Sequence, residues 1–197
     1  AVPTYFFIFN MAILLGLALG NLLKLPAALK PGIGFAVKRV LRLGIVLLGL
    51  KLSIVEVGAI GLKSLPVIMV TIPAAILIVT YLGRRLGLPD RLGTLIAVGT
   101  SICGNTAIVA VSPTIGAKEE ETSYAVACIT VFGLFAMLAY PFVAHWLFAG
   151  DPFKAGLFLG SSVHDTSQVA GAGMVYSDYY RDAQALDVAT ITKLERN

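Results

Sequence analysis

Long uncharged stretches separated by short basic loops dominate the hydrophobic pattern of this chain. Residues 5–23 carry no charge, nor do 65–82 in spite of Pro66 and Pro73. Residues 92–117 are also uncharged, although Gly, Ser, Thr and Asn crowd the middle of that stretch. Residues 122–148 hold His145 as their only group ionising near neutrality, and 155–175 contain His164 and Asp165. A weaker stretch, 35–52, has Lys38, Arg39 and Arg42 in its first turns. A membrane-spanning helix needs about 20 mostly apolar residues, so the pattern predicts six candidate crossings at these positions. The expected fold is an all-α membrane protein, a polytopic helical bundle forming one transmembrane domain over residues 1–197.

Composition agrees with that reading. The chain is 57% apolar and only 13% charged, with a mean hydropathy of +0.87. Soluble domains run at about 45–50% apolar and about 25% charged, so an ordinary soluble domain, a disordered chain and a nucleic-acid-binding module are all excluded. The net charge of +4 matters first for topology. Lys24, Lys30, Lys38, Arg39, Arg42, Arg84, Arg85, Arg91 and Lys154 fall in one set of loops, and only Lys51, Lys63 and Lys118 in the other. The positive-inside rule puts the first set in the cytoplasm and the Ala1 end outside. That orientation, and a last stretch that stops inside a helix-like pattern, lead to the expectation of a chain incomplete at both ends. Cys103 and Cys128 lie in apolar stretches and read as buried small side chains rather than a disulfide framework. Glu119, Glu120 and Glu121 precede a helix and suit its positive N-terminal end; Trp146 reads as an interfacial anchor.

Two of the stretches are not simply hydrophobic. Gly99-Thr100-Ser101-Ile102-Cys103-Gly104-Asn105-Thr106, followed by Ser112-Pro113, is poor for a continuous helix. It suits a broken one, in which Gly frees the backbone while hydroxyls and Asn105 satisfy the released groups. A half-helix N-terminus at membrane depth presents free N–H groups and a positive dipole end, a site for an anion. The alternative is that small residues merely permit close helix packing. In the other stretch, Gly160-Ser161-Ser162-Val163-His164-Asp165-Thr166-Ser167-Gln168, an aspartate inside an apolar span is costly and marks a cavity or a partner. On a continuous helix Ser161, His164, Asp165 and Gln168 form one polar stripe, either a proton or ion relay and substrate wall or an interhelical hydrogen-bond network. Both motifs open on Gly-hydroxyl-hydroxyl-aliphatic.

Enzymatic signatures do not fit. His145 and His164 lack metalloprotease spacing, Gly99 to Gly104 is one residue too long for a nucleophile elbow, and no phosphate-binding loop or Cys-x-x-Cys pair occurs. No enzyme, cofactor or metal is expected.

Three motifs carry a resemblance: Leu41-Arg42-Leu43-Gly44-Ile45-Val46-Leu47-Leu48-Gly49-Leu50-Lys51-Leu52-Ser53, Thr100 to Thr106, and Gly160 to Gly173. In this order they resemble the sulfate-exporter family of YeiH-like bacterial inner-membrane proteins, many of which have Glu where this chain has Asp165. The resemblance implies a secondary transporter of inverted-repeat design with discontinuous helices, extending beyond this chain at both ends. The function expected from it is export of a small anion such as sulfate, with an Na⁺- or H⁺-coupled organic-anion carrier, or a structural or sensory membrane protein, as alternatives. Substrate contacts are expected from Ser101, Cys103, Gly104, Asn105, Ser161 and Gln168, and ion or proton coupling from His164 and Asp165. The expected partners are the bilayer, the anion and a coupling H⁺ or Na⁺, with a homo-oligomer left open and no nucleic acid.

Overall fold

The computed structural model describes residues 54–197 continuously and, before them, 29–40 and positions 11, 15, 16, 19, 26, 43, 44, 46 and 47. Most of the predicted crossing 5–23 and much of 35–52 lie outside the described residues, as does most of the Leu41–Ser53 motif. Every regular element among the described residues is helical. By their internal contacts the residues fall into two units, Ala1–Glu56 and Val57–Asn197.

In the first unit, helix α1 (Lys30–Phe35) starts with a proline in its first turn, where the missing N–H has no helical partner to lose. It runs into a π-helical turn, Ala36–Val40.

Helix α2 (Ile54–Arg85), nearly all of it in the second unit, is 32 residues long and extends beyond the predicted 65–82, mostly at its N-terminal end. Pro66 and Pro73 sit inside it, which membrane helices tolerate better than soluble ones. Most of its large apolar side chains point outward, among them Leu62, Met69, Val70 and Leu77. Lys63 Nζ lies 5.3 Å over the ring of Phe153, and Ser64 donates a hydrogen bond to Glu195 across the unit.

The predicted stretch 92–117 becomes α3 (Asp90–Ser101), a break at 102–104, and α4 (Asn105–Val111). Twelve residues of helix rise only about 18 Å, so α3 alone is short of a membrane thickness. Helix α5 (Glu119–Leu147) is the second helix long and apolar enough to cross a membrane, alongside α2. At its start the carboxylate of Glu121 accepts from the Lys118 N–H at 2.8 Å, the end-capping role foreseen for the acidic run. Ala125, Ile129, Gly133, Ala136, Met137, Pro141 and Ala144 are its buried residues, a stripe at spacings of three and four. Leu95, Ile108, Ala125 and Ile129 form a core joining α3, α4 and α5.

The stretch 155–175 is also interrupted: α6 (Pro152–Ser162) ends, and α7 (Thr166–Tyr180) starts after three intervening residues. The last helix is α8 (Gln184–Arg196). Gly156 and Gly160, one turn apart, let α6 lie directly on α8. A Cβ at either position would fall 2.6 Å from a carbonyl oxygen, that of Ala185 or of Ala189. This small-residue seam fixes the height of the end of α8 against the two breaks.

Candidate functional site at two helix breaks

Breaking a helix exposes the last carbonyls of the half before it and the first N–H groups of the half after it. At the first break, Ile102 takes φ −115°, ψ −104° and Gly104 takes φ 68°, ψ −126°, the latter a conformation only glycine adopts readily. At the second, Val163 and Asp165 are simply extended. The two breaks touch: a Cβ on Gly104 would lie 3.4 Å from the backbone C and O of His164.

The exposed carbonyls of both breaks are satisfied from a single helix, α8. The Lys193 amine donates to the carbonyls of Ile102 at 2.8 Å and His164 at 2.5 Å. From the Arg196 guanidinium, Nε donates to Ser101 O at 2.8 Å and Nη1 to Ser161 O at 2.6 Å, while Nη2 donates to Thr100 O. Lys193 is fully buried and Arg196 is 5% exposed. Their recorded hydrogen-bond partners are all main-chain carbonyls; Lys154 and Asp151 form an ion pair elsewhere, at 3.2 Å. Buried cations without partners are strongly disfavoured, and five main-chain acceptors, two for Lys193 and three for Arg196, offset that cost.

The first N–H groups are treated differently. Asp165 caps α7: its carboxylate accepts from the Ser167 N–H at 2.9 Å and from the Ser167 hydroxyl at 2.5 Å. At α4 no side chain caps the start. Asn105 instead donates to Thr130 Oγ1 at 3.0 Å, and Gln168 donates to the Thr130 carbonyl at 3.2 Å. Thr130 on α5 is thus a shared anchor for the second halves of both interrupted helices. Since a carbonyl can only accept, Gln168 is fixed with its amide nitrogen toward Thr130 and its oxygen away. That oxygen, Asn105 Oδ1 and His164 Nδ1 are buried without a hydrogen-bond partner.

Residues singled out from sequence therefore come together, in an altered arrangement. Ser101 and Ser161 share Arg196 through their carbonyls, while their hydroxyls bond back to Ala97 O at 2.6 Å and Phe158 O at 3.2 Å. Gly104 abuts His164, and Asn105 meets Gln168 at Thr130. Cys103 and Cys128 are free, half-buried thiols. The single-face stripe of Ser161, His164, Asp165 and Gln168 does not form, because the helix ends at Ser162 and the next begins at Thr166. Lys193, Arg196 and Thr130 were not foreseen. The available signal was two cations three residues apart, directly after Val188 to Thr192, a run of small, apolar and hydroxyl side chains.

Comparison with known proteins bears on this arrangement. No solved structure matches the chain. A UPF0324 membrane protein of Streptococcus pneumoniae serotype 4 is 40% identical over 185 residues, covering 94% of this chain and 54% of that protein. Another from Fusobacterium nucleatum is 37% identical over 93% of this chain and 53% of the relative, and one from Streptococcus agalactiae serotype V is 36% identical over 94% and 55%. The chain spans about half the length of these curated relatives. A family model described as Conserved hypothetical protein 698 matches residues 6–197. Two membrane-length helices, two interrupted ones and this match agree: the chain belongs to the Conserved hypothetical protein 698 family of bacterial membrane proteins.

Proposed function

We propose that the protein is a multi-pass inner-membrane secondary transporter that exports a small anion such as sulfate, with the two helix breaks as its substrate site. The observation that carries this reading is the meeting of two interrupted helices at their breaks, Gly104 against His164. Irregular backbone at membrane depth is tolerated where it lines a cavity or is buried in protein, and transporters place their binding sites at such interruptions. The fixed charge of Arg196 beside the breaks, bonded to main-chain carbonyls, favours an anion over a cation as cargo. Ser101, Cys103, Gly104, Asn105, Ser161 and Gln168 supply the wall. His164, with a free buried nitrogen, and Asp165, whose carboxylate holds the start of α7, are the groups that respond to a coupling proton.

Sulfate counterflow by the full-length protein in proteoliposomes tests the reading, with a panel of organic anions run in parallel. Asp165→Asn abolishes coupled flux while the protein still folds. Flux at the wild-type rate from that variant removes Asp165 from the coupling step.

A further inference from the structure

We infer that Lys193 and Arg196 are built-in replacements for a bound alkali cation, so that the helix breaks work without Na⁺. The inference rests on the transport reading only in naming that cation a coupling ion. Where helices are interrupted in a membrane, the exposed carbonyls of the first halves and of the unwound segments are the usual ligands of Na⁺. A hard cation of this kind needs several such oxygens left free to converge on it.

Here those oxygens are taken. Ile102 O and His164 O, one from each break, both accept from the single Lys193 amine, at 2.8 and 2.5 Å. Thr100 O, Ser101 O and Ser161 O accept from three different nitrogens of Arg196. The amine bridges the two breaks as a dehydrated ion would, and the guanidinium does the same one turn away. Both side chains are held there by the α6–α8 seam at Gly156 and Gly160, where the backbones touch. A metal ion could enter only by displacing a buried side chain from main-chain partners that it already satisfies.

A ligand that binds only the folded state raises thermal stability by mass action, which gives a readout independent of flux. Unfolding of the full-length protein in detergent is followed in NaCl and in N-methyl-D-glucamine chloride at equal ionic strength, about 100 mM, well above an expected site affinity. The wild type gives the same midpoint in both salts. Lys193→Ala, which empties the space between Ile102 O and His164 O, melts lower in N-methyl-D-glucamine and regains about 3 °C in Na⁺. Lys193→Arg keeps donors in place and shows no Na⁺ response. A wild type stabilised specifically by Na⁺ overturns the inference, as does a folded Lys193→Ala indifferent to Na⁺. Should Lys193→Ala not fold in either salt, the wild-type comparison and direct ²²Na⁺ binding to the wild type decide alone, with saturable binding overturning the inference and none supporting it. Failure of the transport reading shows separately, as absent sulfate counterflow with these stability results unchanged.

Discussion

The two helix breaks solve one physical problem by different means. At the first, the chain turns through Gly104 at φ 68° and leaves the start of α4 without a side-chain cap. At the second, the backbone stays in extended conformations open to any residue, and Asp165 closes the start of α7 with its own carboxylate. Both then hand their exposed carbonyls to α8. The first break stores its specificity in backbone shape, the second in side-chain chemistry. An imidazole and a carboxylate are present only in the second, at His164 and Asp165.

The largest effect expected concerns what the breaks share. Arg196→Ala leaves the Thr100, Ser101 and Ser161 carbonyls without a donor. An unsatisfied buried polar group costs about 1–3 kcal/mol, so the full-length protein loses about 3 kcal/mol or more, read as a fall in its unfolding midpoint. Two of the three carbonyls belong to the first break, so hydrogen exchange should speed up more at the end of α3 than at the end of α6. Arg196→Lys recovers part of the loss, since a single amine cannot span three separated acceptors. Equal exchange at both helix ends breaks the asymmetry drawn here.

Next in size is Gly104→Ala, which forces a side chain into a φ-positive conformation and brings its Cβ to 3.4 Å from Ile129 and the His164 backbone. Strain of this kind costs about 1–3 kcal/mol. The second break contains no residue at positive φ, so no substitution there carries the same penalty.

How far these arrangements were legible in the sequence follows from which forces are local. The first interruption could be read, because Gly99-Thr100-Ser101 and Gly104 advertise weak helix and strong local hydrogen bonding; the second was missed, although Gly160-Ser161-Ser162 opens the same way. The extent of α5 was close, since apolar length sets it. The stripe of Ser161, His164, Asp165 and Gln168 failed because helical spacing was carried across a break whose position the pattern does not mark. Hydroxyls and Asn105 were expected to satisfy the released backbone groups, whereas Lys193 and Arg196 satisfy the released carbonyls. Lys193 and Arg196 were read only as part of a helix-like pattern, because their partners lie 91 and 95 residues away. Nothing local in Lys193-Leu194-Glu195-Arg196 separates a buried clamp from a solvated last turn.

The smallest effects sharpen the contrast between capping and coupling at the second break. Asp165→Ala removes the acceptor for the Ser167 N–H and costs about 1 kcal/mol, while Asp165→Asn, an equally good cap, leaves stability nearly unchanged. Stability and flux then separate: Asn keeps the fold and loses coupling, and a loss of both would mean that the carboxylate serves structure alone. Asp151 provides the control, because it caps α6, the other half of the same interrupted helix, at its exposed end. It accepts from the Phe153 and Lys154 N–H groups at 3.0 and 3.1 Å and pairs with the Lys154 amine at 3.2 Å. The Lys154 N–H, followed by its side chain, holds the Asp151 carboxyl below the usual range. A lowered folded-state pKa stabilises above the ordinary aspartate value and loses that contribution as pH falls through the lowered one. Asp151→Asn should therefore flatten a small decline in the unfolding midpoint below about pH 4, with sulfate flux at neutral pH untouched. A change in flux from Asp151→Asn, which keeps the cap, would mean that a carboxylate charge on either half of the interrupted helix sets its activity, and Asp165 would lose its separate role.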